Sequence, residues 1–321
     1  MLAITGANGH VGRALLARLA ATKLPVRALV RSRAAAHALV LGSRPAGTDI
    51  RVTDYADVDD MSAALAGCRA VIHLVGILRE TPDNRYEDAH ERTVSALLAA
   101  GLRVGVRQIV ALSILGADQH SPNACLRSRG RADQLLMTAA LPGTVLEVPM
   151  VLGGDDHASR ALAARARRAV SFTFRANSLE QPIDIEDVVS ALLALVDLAL
   201  SDVPTSTPLD TADGAQAGAS SQQSQWPRRL QLAGPAQLTR RALVHAAAAR
   251  EGRRTRVVSL PLSAAYGLAW VLERLLRAPP VTRAMLGVLD HDDEIDPAPA
   301  LARLGLTLTP LPATLDRVMR R

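Results

Sequence analysis

The chain has 321 residues, of which 49% are hydrophobic and 2% aromatic, and its formal net charge is +6 at pH 7. This length suits one large domain or a domain with a smaller lobe, and so few aromatic residues mean a core of Ala, Leu and Val. The same scarcity argues against a base-stacking surface for single-stranded nucleic acid. We find no run of eighteen apolar residues, which a membrane-spanning helix would need.

The positive charge comes almost entirely from arginine, because Lys23 is the only lysine. A basic surface can face nucleic acid, anionic lipid or an acidic partner. A generally arginine-rich composition explains the charge more simply, and we expect no nucleic-acid partner. Cys68 and Cys125 lie far apart and match no metal or redox spacing, so we expect no metal site and a reducing compartment. The first predicted strand begins at residue 1 with no signal peptide before it, which predicts a cytoplasmic location.

A glycine-rich turn lies between the first predicted strand, Met1–Thr5, and the first predicted helix, Val11–Ala21. The turn reads GANGHVG. Glycine lets a pyrophosphate approach the backbone, and the first helical N–H groups and the helix dipole then bind the phosphate. The pattern predicts dinucleotide binding, with a plain glycine turn as the alternative, and Gly12 is expected to let the helix pack closely. The predicted contacts are Gly6, Asn8, Gly9, His10, Val11 and Gly12.

The second predicted strand, Pro25–Val30, runs into the sequence Arg31-Ser32-Arg33. The end of this strand is where such folds read the adenosine ribose. An acid there would accept from the free 2′-hydroxyl of NAD, whereas arginine pairs with the 2′-phosphate of NADP. Since no acid is near, we predict NADP(H), with Arg31 as the main contact and Arg33 as the second. The alternative is a pair of solvated arginines.

The third and fourth predicted strands are Ile50–Thr53 and Ala70–Val75. Asp54 follows the third strand, where it can accept from the adenine amino group. Asp57 is interpreted as the cap of the next helix. His73 lies within an apolar strand, which favours a packed core histidine over a catalyst. Beyond the fourth strand, a long helix is predicted over residues 84–100.

Three polar side chains of that helix are expected to share one face, because they lie four and three residues apart. They are Tyr86, His90 and Thr93. This face could look towards the nicotinamide of a bound dinucleotide. His90 is therefore a candidate proton donor.

The fifth and sixth predicted strands are Arg107–Ser113 and Thr144–Pro149. Strands thus alternate with helices six times, which predicts an α/β fold with a doubly wound parallel sheet, the NAD(P)-binding Rossmann fold. We assign this domain to residues 1–176 and a smaller, mostly helical C-terminal lobe to residues 177–321. The lobe would complete the substrate or partner side of the site.

Two segments of the C-terminal lobe stand out. Residues 211–227 are small and polar, which predicts a mobile surface loop. Residues 260–277 read as an amphipathic helix containing Tyr266 and Trp270. Its apolar face can pack on the domain, which is the simplest interpretation, on a partner, or on a membrane surface.

Several motifs together resemble the short-chain dehydrogenase/reductase superfamily in its atypical, extended branch. They are TGANGHVG, LVRS, Asp54, HLVG, ALSILGA and QPIDIEDVV. More narrowly, VIHLVGILRE, Tyr86 with His90, ALSILGA and LAGPAQLTRRALV resemble the family of the NADPH-binding accessory subunit of respiratory complex I (alpha-subcomplex subunit 9) and its bacterial relatives. The NmrA-like redox sensors are a second resemblance.

The resemblance implies a catalytic Tyr-x-x-x-Lys pair, which this chain lacks. By register after ALSILGA, the two places fall on Cys125 and Arg129. No register restores the pair, because none of the three tyrosines is followed four residues later by lysine. The superfamily's serine is present as Ser113, which alone can only orient a carbonyl. Catalytic candidates are therefore Ser113, Cys125, Arg129 and His90, and the implied further cofactor contacts are Leu74, Val75, Gly76, Ser113, Arg129, Pro149 and Val151.

Three functions remain open at this point. The first is a non-catalytic accessory or assembly protein that holds NADPH, with a partner in a respiratory or quinone-pathway complex and possible peripheral contact with the inner face of a membrane. The second is an NADPH-dependent reductase or isomerase on a hydrophobic substrate of quinone or isoprenoid type, with Cys125 or His90 as an unusual proton donor. The third is an NmrA-like sensor of the NADP redox state.

Overall fold

The computed structural model describes residues 1–42, 44–154, 156–200, 227–276, 279, 281–288 and 290–320. Its strands are β1 (Leu2–Thr5), β2 (Val26–Val30), β3 (Asp49–Val52), β4 (Ala70–His73), β5 (Gln108–Ile114), β6 (Gly143–Val148), β7 (Val151–Leu152), β8 (Val170–Phe174), β9 (Leu179–Glu180), β10 (Ile183–Asp184), β11 (Arg229–Gln231), β12 (Leu238–Thr239) and β13 (Arg256–Leu260).

Helices connect these strands. They are α1 (His10–Leu19), α2 (Arg33–Val40), α3 (Val58–Leu65), α4 (Thr93–Val104), α5 (Ala124–Thr138), α6 (His157–Ala166), α7 (Ile185–Leu200), α8 (Arg240–Ala249), α9 (Leu262–Leu275), α10 (Arg283–Val288), α11 (Ala298–Leu304) and α12 (Leu311–Met319). A π-helical segment, Glu87–Arg92, leads directly into α4.

The central sheet has seven strands in the order β11-β6-β5-β4-β1-β2-β3, and every neighbouring pair is parallel. A parallel sheet is covered on both faces, so its inner strands are buried and largely apolar, as in LAIT, VRALV and AVIH. Two apolar cores lie against the sheet, one built with α1, α2 and α7 and the other with α3, α4 and α5. The predicted doubly wound Rossmann fold is confirmed.

The six predicted strands and the first predicted helix are found within about two residues of their predicted ends. The helix predicted over residues 84–100 differs, because its first part is π-helical. There the Thr93 hydroxyl donates to the Asp88 carbonyl, five residues earlier, at 2.9 Å. The five-residue separation is that of a π-helical turn, whereas an α-helical turn joins residues four apart.

The part of the chain after residue 176 does not form a separate layer. Helix α7 packs on α1 and on the sheet, and β11 extends the sheet beside β6. A further core joins α6, α8 and α12. The boundary at residue 176 stays a prediction, but elements beyond it complete the Rossmann layers. The predicted loop 211–227 lies outside the described residues, apart from Pro227.

Candidate functional site

The glycine turn after β1 has the geometry of a phosphate site. Gly6 has a φ of +66°, and a Cβ placed on it would lie 3.1 Å from the Leu74 carbonyl carbon. A Cβ on Gly12 would lie 2.5 Å from the Ala7 carbonyl oxygen, so the predicted close packing of α1 depends on this glycine. The N-terminus of α1 has no side-chain cap and no acid in its first turn. Both features fit a bound pyrophosphate.

Tyr55 anchors this turn, and sequence reasoning missed it. Its buried hydroxyl accepts from the Gly6 amide at 2.9 Å and donates to the Leu29 carbonyl at 2.6 Å. Burial raises the pKa of Tyr55 to about 12, so the hydroxyl keeps its proton. Nothing in the spacing of the sequence points to a bond between residues 49 positions apart.

The arginines after β2 lie at the same edge of the sheet. Arg31 is exposed, and its Nη1 donates to Asn84 Oδ1 at 2.9 Å. Ser32 caps α2 by accepting from the Ala35 amide, and Arg33 is the exposed first residue of that helix. Arg31 thus contacts the loop after β4, whereas Arg33 belongs to α2.

The other predicted contacts on this side have protein partners of their own. Asp54 is exposed and its carboxylate accepts from the Ala56 amide at 3.0 Å. Asp57 caps α3 by accepting from the Asp60 amide, as predicted. His10 Nε2 lies 3.5 Å from the carboxylate of Asp156, which caps α6.

A groove of about 680 Å³ opens beside α1, lined among others by His10, Arg13, Glu186 and Arg317. Of the predicted site residues, only His10 lines it. Its lining comes from α1, α2, α7, α12 and the turn after β7, and includes no residue of the loop after β4. We therefore place the candidate site at the carboxyl ends of β1, β2, β4 and β5 instead.

A buried polar cluster follows β4 and β5. The Arg129 guanidinium donates from Nε to Ser113 Oγ at 3.0 Å and from Nη1 to the Val75 carbonyl at 2.8 Å. It also donates to the Leu112 carbonyl and forms an ion pair of 3.6 Å with Asp133. The Ser113 hydroxyl donates to Asp133 in turn. Arg129 is 5% exposed, so the guanidinium is held almost entirely by protein groups.

Cys125 occupies the first turn of α5, whose N-terminus is capped by Asn123. Its thiol is fully buried and donates to the Ile77 carbonyl at 3.5 Å. Burial raises the pKa of Cys125 to about 11, although Arg129 acts in the opposite direction. The thiol is therefore a weaker acid here than in water.

His90 sits in the π-helical segment, where its ring stacks on Tyr86 with centroids 5.7 Å apart. Its Nε2 accepts from the Ile77 amide at 3.1 Å, which places the proton on Nδ1. Burial and the positive charge of Arg129 lower the pKa of His90 to about 3. The neutral ring is a poor proton donor at pH 7. Tyr86 donates to the Leu78 carbonyl, and burial raises its pKa.

His73 is a packed core histidine, as predicted. It is fully buried and its Nδ1 bonds to the Thr5 hydroxyl at 2.8 Å. Burial lowers its pKa to about 3.

The remaining predicted contacts lie at the same edge of the sheet. Leu74, Val75 and Gly76 directly follow β4, and Gly76 is exposed with Arg129 Nη1 3.2 Å from a Cβ placed on it. Pro149 follows β6, and Val151 begins β7. Among the described residues, we find no group of three or more His, Cys, Asp or Glu side chains placed to hold a metal ion.

A family model described as NAD(P)H-binding matches residues 6–194, more than half of the chain. The chain belongs to this NAD(P)H-binding family. The match begins at the first glycine of the turn and ends within α7. It confirms the nucleotide class predicted from the glycine turn.

Two curated relatives are similar to part of this NAD(P)H-binding protein. The mitochondrial NADH dehydrogenase (ubiquinone) 1 alpha subcomplex subunit 9 of Arabidopsis thaliana is 26% identical over 198 residues, 60% of this chain and 48% of the relative. A 4-hydroxy-2-methyl-3-oxo-4-farnesyl-3,4-dihydroquinoline-1-oxide ketoreductase of Stigmatella aurantiaca is 27% identical over 173 residues, 48% of this chain and 50% of the relative. The chain thus spans about half the length of these relatives.

Two solved structures share the fold of this NAD(P)H-binding protein along nearly its whole length. A nucleoside-diphosphate-sugar epimerase from Staphylococcus aureus gives a TM-score of 0.69 at 16% identity, covering 98% of this chain and 99% of its own. An NADPH-dependent quinone oxidoreductase from Escherichia coli, solved with NADPH, gives 0.65 at 19% identity, covering 99% of each chain. The resemblance to the extended dehydrogenase/reductase branch is confirmed for the fold.

None of the helices within the described ranges has both the length and the apolar character required to cross a bilayer.

Proposed function

We propose that this NAD(P)H-binding protein holds NADPH as a structural cofactor and acts as a non-catalytic accessory or assembly factor of a respiratory or quinone-pathway complex. The complex I subunit relative supports the type of complex, and the family match supports the cofactor class. The glycine turn and α1 would hold the pyrophosphate, and Arg31 would contact the 2′-phosphate.

The bonding of Arg129 carries the non-catalytic part of this proposal. When bound, a dihydronicotinamide supplies a hydride, and reduction of a carbonyl or quinone also needs a proton donor. Arg129, which the resemblance aligns with the superfamily's lysine, is buried and bonded to Ser113, two carbonyls and Asp133. Arginine stays charged at neutral pH and is a poor acid.

The neighbouring candidates do not supply the proton readily either. The Cys125 thiol is bonded to a carbonyl and its pKa is raised to about 11, whereas the pKa of His90 is lowered to about 3. A general acid works best with a pKa near the operating pH and contributes roughly 10²–10⁴ in rate. Both pKa values lie far from 7, which favours a protein that keeps its nucleotide reduced.

A bound nucleotide is enough to stabilise the fold without chemistry. A ligand present at a thousand times its dissociation constant adds about 4 kcal/mol to the free energy of unfolding. The candidate site joins the ends of β1, β2, β4 and β5, so a dinucleotide there would tie both halves of the sheet together. This gives a structural cofactor a physical role.

The second candidate function is a reductase acting on a quinone-like substrate. The ketoreductase relative, whose name specifies a farnesylated quinoline N-oxide, favours it. In that case Ser113 would orient the substrate carbonyl, and Cys125 or His90 would supply the proton. Loss of turnover in both Cys125→Ala and His90→Ala, with nucleotide binding retained, would support this alternative.

A peripheral contact is proposed for the outer face of α9. Leu268, Val271 and Leu275 form one exposed stripe, at 57%, 42% and 75% exposure, on a different face from the buried Ala265 and Ala269. Arg274 stacks on Trp270 at the edge of the stripe, 4.3 Å from the ring centroid. An apolar stripe edged by tryptophan and arginine fits the headgroup region of an anionic membrane.

Thermal unfolding with added nucleotide tests the cofactor proposal. We expect NADPH to raise the unfolding temperature more than NADH does at equal concentration. Arg31→Ala should remove most of that difference, whereas Arg33→Ala should remove less. An equal effect of both nucleotides on the wild-type protein would contradict the assignment of NADPH, and equal affinity for NADP and NADPH would also argue against a redox sensor.

A further inference from the structure

The loop of residues 77–86, which follows β4, is attached at two distant places. Near the Arg129 cluster, the Ile77 amide donates to His90 and the Ile77 carbonyl accepts from Cys125. At its other end, Asn84 accepts from Arg31. One loop therefore reaches from the predicted nicotinamide side of the site to the arginine proposed to read the 2′-phosphate.

The sheet order shows what the bond between Asn84 and Arg31 crosses. Strand β1 lies between β4 and β2, and all three are parallel, so their carboxyl ends share one edge. Arg31 directly follows β2, and Asn84 belongs to the loop after β4. Their bond of 2.9 Å thus passes in front of the glycine turn that follows β1.

The backbone around Asn84 is well held. Thr81 and Asn84 close a four-residue turn through two mutual backbone bonds, each of 3.1 Å. Just beyond, the Tyr86 amide donates to the Glu80 carboxylate at 2.9 Å. Since both ends of the turn are fixed, the Asn84 side chain presents its oxygen to Arg31 from a defined position.

We propose that Asn84 is a specificity-determining residue that orients Arg31 for the 2′-phosphate of NADPH. An amide oxygen accepts one of the five guanidinium N–H groups and leaves the positive charge uncompensated. The remaining N–H groups of Arg31 are then already oriented towards the 2′-phosphate when it binds. A carboxylate at the same place would neutralise the arginine and repel the phosphate. This role rests on the proposed binding of NADPH.

Asn84→Asp is the sharpest test, because it changes charge with almost no change in shape. We expect the Kd for NADPH to rise about 10- to 100-fold, because the new carboxylate neutralises Arg31 and repels the 2′-phosphate. The Kd for NADH, which lacks that phosphate, should change less than about twofold. A tenfold change in Kd corresponds to about 1.4 kcal/mol. The fragments 2′,5′-ADP and 5′-AMP should show the same contrast. Asn84→Ala should weaken NADPH only about 3- to 10-fold. Gln119→Glu adds the same charge in the exposed loop after β5 and serves as the control.

A double-mutant cycle separates specificity from folding. In an Arg31→Ala background, Asn84→Asp should no longer change the ratio of the two affinities, because its effect acts through the guanidinium. Equal weakening of NADPH and NADH by Asn84→Asp would mean a structural residue and overturn the proposal. If Asn84→Asp leaves the preference for NADPH over NADH unchanged, only the proposed role of Asn84 is overturned. If the wild-type protein itself does not prefer NADPH, both the role of Asn84 and the proposed cofactor are contradicted.

Discussion

Arg129 and Asp133 form an ion pair of 3.6 Å one turn apart on α5, and both contact the Ser113 hydroxyl at the end of β5. Arg129 also bonds to the carbonyl of Val75, just beyond β4. The pair therefore fastens α5 to the ends of two neighbouring strands. The charges of Arg129 and Asp133 therefore stabilise the packing of α5 on the sheet.

Removing the carboxylate should destabilise the protein strongly. Asp133→Asn leaves the buried guanidinium without its counter-charge, which typically costs about 3–5 kcal/mol. Urea unfolding at pH 7 measures the change. Asp59→Asn is the matched control, because Asp59 is exposed and its ion pair with Arg103 is worth about 1 kcal/mol or less. A loss in Asp133→Asn no larger than in this control would contradict the structural role of the pair.

His90 should make stability depend on pH below neutrality. Its pKa is lowered to about 3, mainly by burial, against an ordinary value of about 6.5. Between these values the unfolded chain binds a proton that the native protein does not, so stability falls as the pH falls, by at most about 1.4 kcal/mol per pH unit for this group. In His90→Gln, whose amide oxygen can still accept from Ile77, the decline between pH 6 and 4 should be shallower. An unchanged slope would mean that His90 is not held neutral.

Tyr55→Phe should weaken both nucleotides alike. The substitution keeps the ring but removes the hydroxyl that links the Gly6 amide to the Leu29 carbonyl. We expect a loss of about 1–2 kcal/mol in stability and equal proportional increases in the Kd values for NADPH and NADH, since both share the pyrophosphate. Calorimetric titration of each nucleotide measures this. Tyr266→Phe is the control, and a selective loss of NADPH binding alone would contradict this role.

The stripe on α9 should bind anionic membranes. We expect the wild-type protein to sediment with phosphatidylglycerol-containing vesicles, less so at high salt and little with phosphatidylcholine alone. Leu268→Asp and Leu275→Asp should abolish sedimentation, while Leu41→Asp, at an equally exposed leucine on another face, should not. If the wild-type protein does not bind vesicles but self-associates, and these variants do not self-associate, the stripe would instead be a contact with a second copy of the chain. That result would contradict the proposed membrane contact.

The sheet and the glycine turn could be predicted because they depend on local signals. Short, largely apolar segments predict buried parallel strands, and glycines spaced three apart predict the turn. The boundary between the Rossmann domain and the C-terminal lobe is harder to predict. Strand β11 pairs with β6 although the two lie far apart in the sequence, and only the tertiary structure shows that pairing.

The partners of the site residues could not be predicted for the same reason. Tyr55, Asn84 and Asp133 reach Gly6, Arg31 and Ser113 from elements distant in the sequence. Cys125 and Arg129 were placed by their resemblance to a motif, but burial decides what they can do. A thiol with a raised pKa and an arginine bonded to carbonyls are properties of the packing.

The most direct test of the account follows bound NADPH in the presence of an electron acceptor. The protein is loaded with NADPH and incubated with a short-chain quinone, and the nucleotide is then released and its redox state determined. We expect NADPH to be recovered still reduced, with no quinol formed beyond that in a protein-free control. Formation of NADP⁺ in step with quinol would contradict a non-catalytic role and identify the protein as a reductase.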